Sequence, residues 1–158
     1  MAQDLKKTLI LVRHAHRDTS DKNADNGLSD RGKKQAKIFS DTIEKMHKKS
    51  KPLFLSSPKQ RCVETLEPLA EFFDVKIKVH PELDEQADHE TPSQFKKRVV
   101  RFVTEWKNDF PELTIACSHG DWLPFAVEEL IGVTADFEKG GWAEFSFVDD
   151  EVHLQLRS

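Results

Sequence analysis

The sequence predicts an α/β fold: a single three-layer α/β/α domain over residues 1–158, with a mostly parallel central sheet, helices on both faces and a C-terminal hairpin. Three observations lead there. Short continuous apolar runs rich in β-preferring residues alternate with stretches of helical periodicity. The resulting order, β-α-β-α-β-α-β-α-β-β, is the alternation that gives parallel strands joined by covering helices. A chain of 158 residues, 37% hydrophobic and 33% charged, suits one core beneath a polar surface.

Thr8 to Val12 is the first buried strand, and the aperiodic polar stretch from Arg13 to Gly27 is a loop. Ser29 is placed to cap a helix whose apolar face is Ala36, Phe39, Ile43 and Met46, with the cluster Lys45 to Lys51 as its solvated end. Leu53 to Leu55 is the second strand. Val63, Leu66, Ala70 and Phe73 mark a second helix, in which Pro68 predicts a kink or a break into two parts. Val75, Ile77 and Val79 alternate with Lys76 and Lys78, as on an edge strand, and His80 to Glu90 is a polar linker. Thr91-Pro92-Ser93-Gln94 has capping-box spacing with Pro at the first helical position, ahead of the stripe Phe95, Val99, Phe102, Val103 and Trp106. Leu113 to Cys117 is a further strand and Leu123 to Ile131 a short helix, with Asp121 placed to cap it. Trp142 to Val148 and Val152 to Leu156 form a hairpin around Asp149-Asp150.

Composition removes several classes of function. The 24 Lys+Arg against 28 Asp+Glu give a net charge of -4, without the basic excess that a nucleic-acid partner demands. The early apolar run Leu9 to Val12 is too short for a membrane span or a signal-peptide core, so no membrane partner and a cytoplasmic address are expected. Cys62 and Cys117 build neither a disulfide framework nor a C-x-x-C pair and read as buried small hydrophobes. A monomer is the expected state.

In open sheets of this kind the ligand crevice lies beyond the carboxyl ends of the strands. Arg13-His14 follows the first strand, Ser56-Ser57-Pro58 with Arg61 the second, and Ser118-His119 the strand that precedes the last helix. Two arginines and two histidines at one mouth form a cationic, donor-rich cradle for a dianionic phosphoryl group. A neutral imidazole can attack phosphorus while arginines hold the equatorial oxygens, and His14, fixed at a strand end, is the better placed nucleophile. Arg17 and Ser20, on the loop after the first strand, are candidate substrate contacts. No cofactor and no metal are expected. The rival metal reading would combine His14, His16 and Asp18 with His119 and Asp121, but the neighbouring arginines would repel a cation. A thiol phosphatase would need Arg six residues after Cys, where Pro68 and Leu123 stand instead. G-x-S-x-G and P-loop motifs are absent.

The ordered segments Leu11-Val12-Arg13-His14, Leu28-Ser29-Asp30-Arg31-Gly32-Lys33-Lys34-Gln35-Ala36, Ser56-Ser57-Pro58-Lys59-Gln60-Arg61-Cys62-Val63-Glu64-Thr65 and Ser118-His119-Gly120 together resemble the histidine phosphatase superfamily. The resemblance implies that His14 is transiently phosphorylated, that Arg13 and Arg61 hold phosphate oxygens, and that His119 donates a further hydrogen bond. It also implies a proton donor in a Leu-x-Glu segment after the third strand, which Leu83-Asp84-Glu85 matches, making Glu85 the candidate acid; Asp121, or no dedicated acid at all, is the alternative. One departure is Ala15, where the family usually has Gly. Mutases of the family carry long insertions over the pocket; the short segment His80 to Glu90 therefore points to a phosphatase, similar to the small SixA-type enzymes that act on phosphohistidine. The expected partner is a phosphorylated protein or a small phosphorylated metabolite. A phosphoresidue-binding module that lost turnover is the non-enzymatic alternative.

Overall fold

The computed structural model describes residues 6–158. Its elements are β1 (Lys7–Arg13), α1 (Asp30–His47), β2 (Leu53–Ser56), α2 (Gln60–Phe73), β3 (Ile77–Val79), α3 (Pro92–Asp109), β4 (Leu113–Ser118), α4 (Leu123–Ile131), β5 (Trp142–Val148) and β6 (Glu151–Arg157), with a 3-10 turn at Pro81–Leu83. They form one six-stranded sheet in the order β3-β2-β4-β1-β5-β6. The first four are parallel to one another, and β5 and β6 run antiparallel, as expected for a mostly parallel sheet ending in a hairpin.

Period-two alternation along the central strands supplies both faces with a core. Leu9 and Leu11 of β1, Ala116 of β4 and Phe145 of β5 pack against Phe95, Val99, Phe102 and Trp106 of α3 and Leu123, Ala126 and Val127 of α4. Ile10 and Val12, with Phe54, Ile115 and Cys117, pack on the other side against Phe39 and Ile43 of α1 and Cys62, Leu66 and Leu69 of α2. Because β1 and β4 are covered on both faces, they read as continuous apolar runs rather than alternating ones.

Local chemistry explains the element ends. Thr91 and Gln94 form the reciprocal capping box of α3. The hairpin turn places Asp149 at φ 54° and Asp150 at φ 64°, the pair of positive values that suits a tight turn between twisted strands. Several expectations need correction. Helix α2 runs through Pro68 without the break into two parts, with Leu66 and Leu69 on either side buried in the core. Met46 leaves the apolar stripe of α1 and is exposed at the helix end. Asp121 does not cap α4; Trp122 occupies that position and is fully buried in the core, its Nε1 donating to the Glu82 carbonyl at 2.7 Å. His47 and His80, which carried no partner pattern, meet Glu144 at 2.7 Å and Glu105 at 3.0 Å.

The start of α1 is anchored to the loop that follows β1. Ser29 Oγ accepts from Gly32 N at 3.1 Å and from His16 Nδ1 at 2.7 Å, and donates to the His16 carbonyl at 3.1 Å. Gly32 packs directly on that carbonyl: a Cβ there would lie 2.0 Å from His16 O. A helical Gly→Ala change normally gains about 0.5–1 kcal/mol. Gly32→Ala should instead lose roughly 1–3 kcal/mol in denaturant unfolding, the usual range for overpacking; a gain in stability would show that the loop does not sit on the helix in this way.

Candidate active site

The parallel register brings the carboxyl ends of β1, β2 and β4 to one edge. Arg13 pairs with Ser118 and Ser56 with Cys117, so that His14, Ser57 and His119 each leave the sheet one residue later. Their backbones stay tied: His14 N donates to Ser118 O at 3.1 Å and Ser57 N to Cys117 O at 3.1 Å. Arg61 reaches the same mouth from the first turn of α2. The rings of His14 and His119 lie 5.3 Å apart between centroids.

His14 is buried, and its Nδ1–H donates to the Ala15 carbonyl at 2.8 Å, which leaves the lone pair on Nε2. Burial, assisted by the positive charges of Arg61, Arg13 and Lys139 and opposed by the Ala15 hydrogen bond, lowers its pKa from 6.5 to about 4. At neutral pH the side chain is an uncharged imidazole with one free nitrogen. Ala15, the departure from the family pattern, fits without disturbance: it is fully buried, and its N–H donates to Thr65 Oγ1 at 2.9 Å. Thr65 in turn bonds the Arg61 carbonyl at 2.7 Å, linking the β1 loop to α2.

The arginines flank this histidine. Arg13 donates through Nη1 to the Phe137 carbonyl at 2.8 Å, and its guanidinium lies over Gly120, where a Cβ would come within 2.7 Å of Cζ. That contact accounts for glycine after His119. Arg61 donates through Nη2 to Glu85 Oε2 at 2.8 Å. The Nε–H groups of Arg13 and Arg61 are buried and meet no acceptor among the described residues, as does that of Arg17. Buried donors of this kind call for an acceptor, and an oxyanion supplies several.

His119 is also buried, and its pKa falls to about 2 through burial and then the charge of Arg61, with smaller effects of His14, Lys59 and Arg13. Its Nε2 lies 2.7 Å from Ser57 Oγ, and Arg61 Nη2 approaches Nδ1 at 3.4 Å. Since a guanidinium only donates, Nδ1 accepts in this state, Nε2–H donates to Ser57, and Ser57 donates onward to Asp84 Oδ1 at 3.4 Å. Rotation of the Ser57 hydroxyl would reverse the tautomer and turn Nδ1 into a donor. Ser57, Asp84 and Thr65 are thus functional neighbours without a role legible in the sequence: Ser57 and Thr65 lie inside the Ser56 to Thr65 motif, and Asp84 is the middle residue of Leu-x-Glu.

Glu85 stands at the rim, 3.8 Å from His119 Nδ1. Asp121 keeps an exposed surface, but partial burial of its carboxylate and then the nearby Glu85 charge raise its pKa, and its Oδ2 accepts from Gln86 N at 3.1 Å. Arg17 is half-buried and donates to Lys22 O at 3.0 Å. Ser20 sits exposed on the loop, with its N–H on Asp18 Oδ1 at 2.9 Å, and no contact joins it to the cluster. Among the described residues, His14, His16, Asp18, His119 and Asp121 do not bring three ligand atoms together. Donor atoms do converge at His80, Glu82 and Glu105. There His80 Nδ1 accepts from Glu82 N at 3.3 Å, so Nε2 carries the proton donated to Glu105 and offers no lone pair.

Two histidines with lowered pKa make stability depend on pH. Between pH 6.5 and 4 the unfolded chain takes up protons that folded His14 and His119 refuse, so stability falls as pH falls, by about 1.4 kcal/mol per pH unit per histidine. His14→Asn should therefore lose about 2 kcal/mol less than the wild type between pH 7 and pH 5 in urea unfolding. Equal losses would mean that His14 titrates normally.

Several solved structures with this fold are described as phosphatases. A candidate alpha-ribazole-5'-P phosphatase of Escherichia coli matches with a TM-score of 0.78 and 19% identity, covering 96% of each chain. A phosphoserine phosphatase of Entamoeba histolytica gives 0.78 and 16%, again over 96% of each. A mycobacterial glucosyl-3-phosphoglycerate phosphatase gives 0.73 and 16%, over 96% of this chain and 98% of that one. At these identities the likeness is one of fold. No curated protein matches the chain by sequence. A family profile described as histidine phosphatase superfamily (branch 1) matches residues 9–89, half of the chain, which includes His14, Arg61 and Glu85. With that match, and with His119 brought to the same mouth by β4, the chain belongs to the histidine phosphatase superfamily.

Proposed function

We propose that residues 1–158 form one phosphatase domain that works without a metal, through a phosphohistidine intermediate on His14. His14 Nε2 attacks phosphorus in line, forming the N–P bond as the bond to the leaving group breaks. Arg13 and Arg61 hold the non-bridging oxygens, with Arg17 as a further contact, and His119 adds a hydrogen bond from Nδ1 once Ser57 has turned. Glu85 passes a proton to the leaving group and, as a carboxylate, then takes one from the water that hydrolyses the N–P bond. The observation that carries this reading is a neutral His14, protonated on Nδ1, beside two guanidinium groups whose buried Nε–H donors lack acceptors among the described residues. Ser20 would meet only a substrate that extends to the tip of its loop.

For the substrate, we propose phosphohistidine carried on a protein. The segment between β3 and α3 is held down on α3 and, with Asp84, Glu85, His89 and Lys97, lines an open groove of about 480 Å³ beside the site. A protruding side chain on a large partner can enter such a mouth. The placement of Glu85 favours a second reading, a small phosphomonoester, because an alkoxide needs a proton on departure whereas imidazole leaves readily. The descriptions of the similar structures, phosphatases of phosphoserine and of glucosyl-3-phosphoglycerate, lean the same way.

Activity should survive EDTA, and His14→Ala should lower kcat more than about a hundredfold, roughly 2.7 kcal/mol of barrier, with the circular dichroism of the wild type. Retention of a tenth of the rate would remove His14 from the role. Side-by-side kcat/KM values for a phosphohistidine-bearing protein and for small phosphomonoesters decide the substrate: an advantage of at least about tenfold for the protein is expected, equivalent to 1.4 kcal/mol, and the opposite ranking selects the second reading.

A further inference from the structure

The candidate acid lies just beyond the 3-10 turn Pro81–Leu83, and every backbone carbonyl from Glu82 to Glu85 is held by a side chain. Glu82 O accepts from Arg98 Nη1 at 2.8 Å and from Trp122 Nε1 at 2.7 Å. Leu83 O accepts from Ser118 Oγ at 2.6 Å, Asp84 O from Arg98 Nη1 at 2.7 Å, and Glu85 O from Arg98 Nη2 at 2.9 Å. Three of the four depend on one residue. Its two remaining N–H groups go to the Glu90 carboxylate, Nε to Oε2 at 2.7 Å and Nη2 to Oε1 at 2.9 Å. All five donors of the Arg98 guanidinium are thus used, the side chain is only 12% exposed, and its Cζ lies 4.7 Å from the Phe95 ring centroid.

This is more than any single fold contact requires. Arg98 projects from the middle of α3, an element that carries none of the catalytic candidates, and its fork defines the path of the segment at both ends, from Glu82 to Glu90. Carbonyls turned towards Arg98 leave the Glu85 carboxylate 2.8 Å from Arg61 Nη2 and 3.8 Å from His119 Nδ1. We propose that Arg98 is a positioning residue for proton transfer: by clamping the backbone of Glu82, Asp84 and Glu85 it fixes the Glu85 carboxylate against the phosphoryl cradle. The inference rests on the reading of Glu85 as the acid. Lysine, with three donors on a single nitrogen, cannot meet five acceptors spread over two planar edges.

The test compares wild type, Arg98→Lys, Glu85→Gln and the double variant on β-glycerophosphate, whose alkoxide needs an acid, and on p-nitrophenyl phosphate, whose phenolate does not. Arg98→Lys should lower kcat on β-glycerophosphate about tenfold or more, within the usual contribution of a general acid, and leave p-nitrophenyl phosphate within about threefold, with KM for both little changed. The double variant should be no slower than Glu85→Gln alone, within about twofold, because the arginine acts through the glutamate. Equal losses on both substrates, or a double variant slowed by the product of the single effects, overturn the proposal and leave the acid reading standing. Should Glu85→Gln itself slow both substrates alike, the acid reading fails and the proposal with it. If Arg98→Lys does not fold, Glu90→Gln, which loosens the clamp while leaving the guanidinium in place, carries the same comparison: a selective loss on β-glycerophosphate supports the proposal, and a uniform loss or none overturns it.

Discussion

The register of three parallel strands is the constraint on which the site depends. With β4 between β1 and β2, Arg13 beside Ser118 and Ser56 beside Cys117, the chain leaves the sheet at nearly the same height three times, and each exit delivers a polar side chain to the same few ångströms. A slip of one residue in any of these pairings would turn its side chains to the opposite face and empty the mouth. The apolar alternation of β1, with Leu9 and Leu11 towards α3 and α4 and Ile10 and Val12 towards α1 and α2, prevents the slip, so the packing of the core and the geometry of the site are one specification.

The second dependence is electrostatic. Buried cations with incomplete hydrogen bonding are unfavourable in the empty protein, and the fold compensates by keeping both histidines neutral and by placing Glu85 on Arg61. On the mechanism proposed for His14, a phosphoryl dianion would reverse the balance, since it would offer acceptors to the unpartnered Nε–H groups and cancel the accumulated positive charge. On that mechanism the cost of the unpartnered donors and the affinity for the phosphoryl group would have the same origin, and the cradle would bind a transition state more strongly than solvent does. Low histidine pKa values serve that end: a protonated His14 would have no lone pair to offer.

The order of elements, the two-faced core and the residues at the strand ends were legible in the sequence because each is a local signal: β-rich runs, helical periodicity, a capping box, or polar motifs just after a strand. Less legible were features decided by packing. Pro68 reads as a break, but the buried residues around it keep α2 whole; Met46 has the spacing of a core residue, but the helix outruns the core there. Trp122 stands near His119 in sequence and turns away into the core to reach Glu82 O. Arg98 had no signal at all, being one charged residue among several on α3, and its five bonds come from a segment that folds back from eight to sixteen residues earlier. Ser57, Asp84 and Thr65 show the intermediate case, in which a motif marks the place but only three-dimensional proximity gives the role.

The proposed turnover requires covalent participation of His14, and rapid quenching tests it most directly. Mixing the protein with p-nitrophenyl phosphate, stopping in alkali, where phosphohistidine survives, and mapping phosphate on peptides should find it on His14 during the burst of nitrophenolate. Phosphate on a different side chain, or a burst with His14 unmodified, would contradict it.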